Sequence, residues 1–253
     1  MKWTTVVLVV AALFCSDARA VVSLAGTRLV FDGRFSEATI DVGNPGNAPV
    51  LIQSWLKDAR GDQAASDDLP FVLTPPLAQL PAQGRQTLRV LYQGVGMPAD
   101  RESLLHLYVL EVPRRSQARQ QLNIAVRQRI NVFYRPAGLA GDPAEAAQSL
   151  AWQMDAPDHA MVKVRNPSPF HVSLHQLAIN EIEIAEDLML EPFSAHSLRI
   201  PETLAQGVKD GNLSFKALTD YGGLRDFCAP FQAGTPFNAR LRPSGAQSSI
   251  RKC

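Results

Sequence analysis

Short stretches that alternate apolar and polar residues recur along the chain, and they are rich in β-branched and aromatic side chains. Alternation with a period of two is typical of strands with one buried face. Turn-forming Gly, Pro, Asn and Asp residues separate the stretches, at the spacing of a β-sandwich or barrel. In the first half of the chain they lie at residues 27–31, 39–42, 50–56, 86–92, 104–111 and 122–134. The pattern therefore predicts an all-β fold.

A segment with Pro and Gly residues, at positions 136–142, interrupts this alternation. Strand-like stretches resume after it, at residues 161–165, 171–177, 181–184, 197–200 and 213–218. Such a break between two patterned regions indicates an inter-domain linker. We expect two β domains, at residues 21–137 and 138–233, and then a polar, loosely ordered tail at residues 234–253. Trp55 and Trp152 are expected to pack in or near the two domain cores.

Residues 1–20 have the composition of a secretory signal peptide. Lys2 precedes an apolar stretch at residues 6–14, and Ala18-Arg19-Ala20 follows it. The apolar stretch is shorter than the ~20 residues that a membrane-spanning helix needs. We expect export and cleavage after Ala20, which leaves 233 residues (253 − 20). Two domains of about 110 residues fit that length.

Charge and cysteine content narrow the function classes. The chain has 25 basic and 24 acidic residues, for a formal net charge of +1. This balance gives no support for nucleic-acid or membrane-surface binding. Loss of Cys15 with the signal peptide leaves Cys228 and Cys253. In an oxidising compartment these two either form a disulfide, with the tail folded back, or stay free or pair between molecules.

Motifs of catalysis and metal binding are missing from the sequence. It contains no G-x-S-x-G elbow, P-loop or H-E-x-x-H motif, so we expect neither an enzyme nor a cofactor. His171 and His175 lie four residues apart, which would place both on one side of a helix. In a strand, the same spacing separates them by ~13 Å, so no metal site is expected.

Six short motifs follow one another along the chain: TRLVFDG (27–33), TPP (74–76), DRESL (100–104), INVFYRP (130–136), NPSPF (166–170) and DYGG (220–223). Each is weak alone, but their order and spacing are specific together. In them the chain resembles the PapD-like periplasmic chaperones of the chaperone–usher pilus pathway. The resemblance implies two immunoglobulin-like β-sandwich domains at an angle, with a cleft between them. It also implies a periplasmic location and two partners, pilin subunits and an outer-membrane usher.

In that family, the last strand of the first domain completes a pilin sandwich that lacks one strand. Residues two apart share a face of a strand. Here the even-numbered face is apolar except for Gln128, and it consists of Leu122, Ile124, Val126, Ile130, Val132 and Tyr134. The resemblance assigns Leu122, Ile124 and Val126 to the client and the rest to the domain core. Without the resemblance, the pattern favours a strand that packs wholly in its own core. An uncovered apolar edge also predicts self-association of the free chain.

The family anchors the terminal carboxylate of the pilin with an Arg on the first strand and a Lys on the last. Paired cations suit a carboxylate because charge-assisted hydrogen bonds are strong. Arg28 matches the Arg, but the uncharged Asn131 stands at the Lys position. Arg127 and Arg129 share the strand face of Asn131, with Arg129 nearer. They either supply the missing charge or form a solvated face.

Glu102, Arg135 and Asp220 match a charged trio that links the two domains in the family. Opposite charges near a cleft can fix the orientation of domains, provided that burial leaves none of them unpaired. The alternative function is that of another exported β-sandwich protein, such as a pilus subunit or an adhesin. A pilin would be much shorter, and an aromatic content of 7% argues against an aromatic-rich adhesin surface.

Overall fold

The computed structural model describes residues 22–59, 69–112, 124–155, 161–201, 204, 209–242 and 253, and these residues form two β-sandwiches in sequence. The N-terminal sandwich contains β1 (Ser23–Leu24), β2 (Arg28–Asp32), β3 (Glu37–Gly43), β4 (Val50–Asp58), β5 (Phe71–Thr74), β6 (Leu77–Leu80), β7 (Arg85–Tyr92), β8 (Ser103–Val112) and β9 (Val126–Arg135). The C-terminal sandwich contains β10 (Ala151–Met154), β11 (Met161–Arg165), β12 (Val172–Ile179), β13 (Ile182–Leu190), β14 (Ala195–Arg199), β15 (Asp210–Leu218), β16 (Leu224–Gln232), β17 (Pro236–Asn238) and β18 (Arg240–Leu241). The predicted all-β class with two immunoglobulin-like domains is confirmed.

The N-terminal domain packs a four-stranded sheet, β1-β3-β7-β5, against a five-stranded sheet, β2-β9-β8-β4-β6. Its core is centred on aromatic side chains from both sheets. The Tyr134 ring lies 5.6 Å from Phe31, 5.4 Å from Phe71 and 4.6 Å from Tyr92, measured between ring centroids. Burial, helped by the hydrogen bond to Tyr92, raises the pKa of Tyr134 to about 12. The phenol is therefore neutral and belongs to the packing of the core.

The C-terminal domain repeats the arrangement with sheets β14-β11-β10-β17 and β13-β12-β15-β16-β18. Trp152 is fully buried, and its ring lies 5.5 Å from Phe215, which stacks on Phe227 at 5.2 Å. A 3₁₀ turn, Pro143–Glu145, joins the domains, and the Asp142 side chain caps it by accepting a hydrogen bond from the Ala144 amide. Trp152 thus lies in the predicted core.

The outer edge of β9 is paired along only part of its length. β2 runs parallel to β9, and their register extends from Arg28 opposite Asn131 to Asp32 opposite Arg135. The preceding strand β1 crosses to the other sheet and pairs with β3. Residues 126–130 of β9 therefore pair with β8 on one side. Among the described residues, no strand pairs with their other side.

Several strands lie where the sequence pattern gave no signal. β1, β17 and β18 have only two or three residues, too few to show alternation, and β5 and β6 flank the cis bond between Thr74 and Pro75. β16 is long, but Pro230 and its charged residues conceal its pattern. Within the described residues, β18 pairs with Phe227 and Cys228 of β16. Pro230, which has no N–H to donate, is therefore tolerated further along that edge.

The predicted tail boundary at residue 234 needs correction. β17 pairs with β10 and β18 pairs with β16, so residues 236–241 complete the two sheets of the C-terminal domain. Cys228 and Cys253 are joined as a disulfide, with their Cα atoms 5.7 Å apart. The disulfide attaches the last residue to β16, while residues 243–252 lie outside the described part. No helix in the described ranges is long and apolar enough to cross a membrane.

Candidate functional site

The even-numbered face of β9 divides into two parts. Ile130, Val132 and Tyr134 are buried in the domain core, as the sequence predicts. Ile124, by contrast, is 65% exposed, and Val126 is half-buried and lies outside the core cluster. Leu122 lies outside the described residues. The structure therefore leaves an apolar stretch uncovered at the start of the strand.

Gln128, the polar interruption of this face, has a defined partner. Its Nε2 donates to the carbonyl of Val22, whose amide donates to the Glu111 carboxylate at 2.8 Å. Val22 itself is buried in the domain core. Gln128 and Glu111 thus hold the chain just before β1 against the inner face of the five-stranded sheet.

The start of β9 differs from the prediction. The alternating pattern begins at Leu122, but the strand begins at Val126. Val126 pairs with Glu111, close to the end of β8 at Val112. Residues 124 and 125 have no ladder partner in the described chain, so alternation alone does not make them a strand.

Arg28 is a half-buried cation to which the described residues supply no direct ion pair. Its guanidinium carbon lies 5.3 Å from the centroid of the Phe133 ring. Its Nε is buried without a hydrogen-bond partner, and it forms no ion pair within the described part of the chain. Burial lowers the pKa of Arg28, and the Asp220 and Glu102 carboxylates offset this only in part. An additional carboxylate beside Arg28 would be stabilised.

Asn131 is the direct register partner of Arg28, whereas the two candidate arginines lie two and four residues earlier on β9. Arg129 is exposed opposite Tyr108. Arg127 lies over the Tyr108 ring at 5.4 Å, and Tyr108 stacks on Trp55 at 5.3 Å. Trp55 is therefore on the outer face of the sheet and not in the core, which corrects the expectation. Its register on β4 opposite Tyr108 of β8 could not be derived from the sequence.

Glu102, Arg135 and Asp220 come together between the domains. Glu102 Oε1 accepts hydrogen bonds from Arg135 Nε at 3.1 Å and Nη2 at 2.8 Å. Arg135 Nη1 donates to Asp220 at 3.0 Å. Burial lowers the pKa of Arg135, but the hydrogen bonds and charges of Asp220 and Glu102 outweigh it and raise the pKa overall. Arg135 is thus a compensated cation, unlike Arg28.

His171 joins this network, a role for which its local sequence carries no signal. Its amide and its Nδ1 both contact Glu102 Oε2, at 2.8 and 3.0 Å. Its ring lies 5.4 Å from Phe133. His175 instead contacts Asp187. The described ranges contain no group of side chains that could hold a metal ion.

A cavity of about 470 Å³ opens between the domains. Arg28, Glu102 and Phe133 line it from the N-terminal domain, and His171, Asp220 and Tyr221 are among its C-terminal residues. Gly222 of the DYGG motif lets the C-terminal domain lie close to Thr27 of the N-terminal domain. It has a φ of +80°, and a Cβ there would lie 3.3 Å from the Thr27 hydroxyl. The cavity combines a cation, carboxylates and apolar walls, without the motifs of a catalytic centre.

Both halves of the chain match models of one protein family. Residues 21–140 match the N-terminal domain of PapD, described as a pili and flagellar-assembly chaperone. Residues 145–229 match the C-terminal domain of the pili assembly chaperone PapD. The chain belongs to the PapD family of pilus-assembly chaperones. Because this family consists of chaperones that are not enzymes, the chain is not an enzyme.

Individual relatives agree with the PapD family assignment. The chain is 34% identical over 227 residues to chaperone protein FimB/FhaD of Bordetella pertussis, covering 85% of this chain and 88% of the relative. It is 34% identical over 235 residues to the probable fimbrial chaperone YadV of Escherichia coli K12, covering 88% of this chain and 95% of the relative.

Solved structures show the same fold. The crystal structure of the YadV chaperone superposes with a TM-score of 0.67 at 31% identity, covering 83% of this chain and 99% of that one. A complex of the Salmonella enterica SafA pilin with the SafB chaperone contains a chain with a TM-score of 0.69 at 28% identity, covering 90% of this chain and 99% of that one. The arrangement of two sandwiches is therefore shared along almost the whole length of these neighbours.

Proposed function

We propose that this PapD-family chaperone holds pilus subunits in the periplasm by donor-strand complementation and delivers them to an outer-membrane usher. The observation that carries the proposal is the open edge of β9, with half-buried Val126 at its start and exposed Ile124 two residues before it. A strand added at such an edge gains main-chain hydrogen bonds, and alternate side chains fill pockets of the partner. The pairing of SafA pilin with the SafB chaperone in a solved complex supports this choice of client.

The position of β2 indicates the direction of the client strand. β2 is parallel to β9 and begins at Arg28, directly beyond the open edge. A client strand that continues the line of β2 and runs parallel to β9 would end with its carboxylate at Arg28. An antiparallel strand would bring an amino terminus to the same cation, which is electrostatically unfavourable. We therefore assign the client a parallel strand whose C-terminus lies in the cavity.

Three residues are proposed for anchoring. Arg28 supplies the charge, and Asn131, its neighbour across the sheet, supplies an amide donor. Arg129 remains a proposal as the replacement for the expected Lys, although it does not line the cavity. The free chain is further proposed to cover the edge of β9 by self-association, because an open apolar edge favours strand pairing. A role as a pilus subunit or adhesin is not favoured, since the relatives are chaperones.

Export is part of the proposal. We expect the periplasmic protein to begin at Val21, because Ala18-Arg19-Ala20 is the cleavage signal of the predicted signal peptide. N-terminal sequencing of the protein isolated from the periplasm would test this. A first residue upstream of Ala20, or recovery with the cytoplasmic fraction, would contradict it.

Arg28→Ala is expected to weaken client binding by about 10- to 100-fold, because a charge-assisted hydrogen bond contributes about 1.5–3 kcal/mol. The measurement is co-purification from the periplasm with a co-expressed pilin, followed by titration of the purified chaperone with a C-terminal pilin peptide. Arg34→Ala is the control, since Arg34 follows β2 but pairs with Asp32 outside the cavity. Equal binding by both variants would contradict the anchoring role of Arg28.

A further inference from the structure

The cavity beside Arg28 contains a second nitrogen base that could meet an anion. His171 lines the same cavity as Arg28, although the two residues come from different domains. Arg28 and His171 both contact the Phe133 ring, at 5.3 and 5.4 Å from its centroid. Arg28 and His171 therefore lie around the Phe133 side chain in the second half of β9. Phe133 is two residues from Asn131, which stands at the position of the expected Lys.

The His171 ring is held by Glu102. The carboxylate accepts hydrogen bonds at 2.8 Å from the His171 amide and at 3.0 Å through Nδ1. The His171 side chain is 5% exposed and that of Glu102 only 2%. A histidine whose Nδ1 contacts a carboxylate has a fixed ring orientation, and its Nε2 is the one remaining polar atom of the ring.

A client carboxylate would complete the hydrogen bonding of this ring. When both ring nitrogens carry protons, Nδ1–H donates to Glu102 and Nε2–H is a charge-assisted donor. A carboxylate at Nε2 therefore lies across the ring from Glu102 and accepts the second hydrogen bond of the imidazole. No second cation from β9 is then needed, which is consistent with the uncharged Asn131.

The other basic residues near the cleft have different surroundings. Arg129 is exposed on β9 and is not among the residues that line the cavity. Arg225 lines the cavity but is exposed, and its Nη1 donates to the Ala144 carbonyl at the 3₁₀ turn. Arg135 lies between Glu102 and Asp220 and is compensated by them. Among these groups, His171 alone is buried, oriented and adjacent to the ring that Arg28 contacts.

We propose that His171, oriented by Glu102, is the second group that binds the client's terminal carboxylate and takes the role of the Lys that Asn131 replaces. This inference rests on the proposed function, since it assumes that a strand ending in a free carboxylate enters the cavity. It also assigns the two anchoring groups to different domains. Client binding would then connect the N-terminal domain to the C-terminal domain through the carboxylate.

The test uses the full chain and one synthetic peptide in two forms. The peptide alternates apolar residues over the length of residues 122–131 and ends either in a free carboxylate or in a C-terminal amide. The measured quantity is the ratio of the two dissociation constants. His171→Asn retains a nitrogen at the position of Nδ1 for Glu102 and removes Nε2. His171→Gln retains a donor at the position of Nε2.

His171→Asn is expected to lower the preference for the free carboxylate by about 10-fold or more, with binding of the amide peptide unchanged. His171→Gln is expected to keep most of the preference, whereas a preference lost in Arg129→Ala but kept in His171→Asn would assign the second anchoring group to Arg129 and overturn the inference. If His171→Asn weakened both peptides equally, or left the preference intact, His171 would be structural only and the inference would be overturned. If the unmodified chain bound neither peptide, the donor-strand proposal itself would fail.

Discussion

A variant that carries Leu122→Asp, Ile124→Asp and Val126→Asp is expected to fold normally and to bind no client. Burying one aliphatic side chain contributes roughly 1.5–3 kcal/mol, so three lost contacts weaken binding by at least about 10³-fold. Placing carboxylates in the apolar groove of a client opposes binding further. The fold is expected to tolerate the change, because Ile124 is exposed and neither Ile124 nor Val126 belongs to the core cluster.

The matched comparison uses two pairs of substitutions with equal charge. Ile124→Asp with Val126→Asp adds two carboxylates to the client face of the strand. Asn123→Asp with Ala125→Asp adds two carboxylates to the other face. Pilin co-purification should be lost only for the first pair, while thermal unfolding shows that both pairs remain folded. A client-face variant that still held the pilin would refute the assignment of the donor strand.

Alternation predicted where the strand of the site lies but not how its two halves are used. The residues at positions 124, 126, 130, 132 and 134 look alike in the sequence, since all are apolar and two apart. What distinguishes them is their neighbours: β2 occupies the edge of β9 from Asn131 onward, and β1 has moved to the other sheet. Only the family resemblance anticipated this division, because strand pairing over long sequence separations has no local pattern.

The contacts between the domains show the same limit. Glu102 and His171 lie 69 residues apart in sequence, and neither is unusual in its local context. The spacing of His171 and His175 suggested only a test for metal ligands. In the fold, His171 and His175 have different neighbours, because His171 lies just before β12 and faces Glu102 of the other domain. The sequence could have indicated the contact between Glu102 and His171 only if the motifs DRESL and NPSPF had been taken as two sides of one interface.

Trp55 and β16 show where composition misleads. A tryptophan in an alternating stretch is usually expected in the core, but the register of β4 places Trp55 beside Tyr108 on the outer face. β16 contains Pro230 and two charged residues, Arg225 and Asp226, which obscure the alternation. In the structure, Phe227 and Phe231 of this strand are buried in the core. Tertiary pairing overrides local propensity in both cases.

Glu102→Ala is expected to destabilise the protein by about 3–5 kcal/mol, because it leaves Arg135 Nε and the amide and Nδ1 of His171 without their acceptor. Asp220→Ala removes a carboxylate from the same Arg135, but the Asp220 side chain is 33% exposed. An ion pair that solvent reaches contributes about 1 kcal/mol or less, so this matched variant should change stability little. Urea unfolding followed by intrinsic fluorescence would give both changes in the free energy of unfolding.

The same pair of variants also separates stability from client binding. Glu102 orients His171 and holds the two domains around the cavity, so Glu102→Ala should weaken a client with a free carboxylate even under conditions where the protein stays folded. Asp220→Ala leaves the contact between Glu102 and His171 in place and should bind the client more tightly than Glu102→Ala does. Equal losses of stability in the two variants would mean that removing either partner of Arg135 has the same cost. Burial of Glu102 between the domains would then not be the source of the interface's strength.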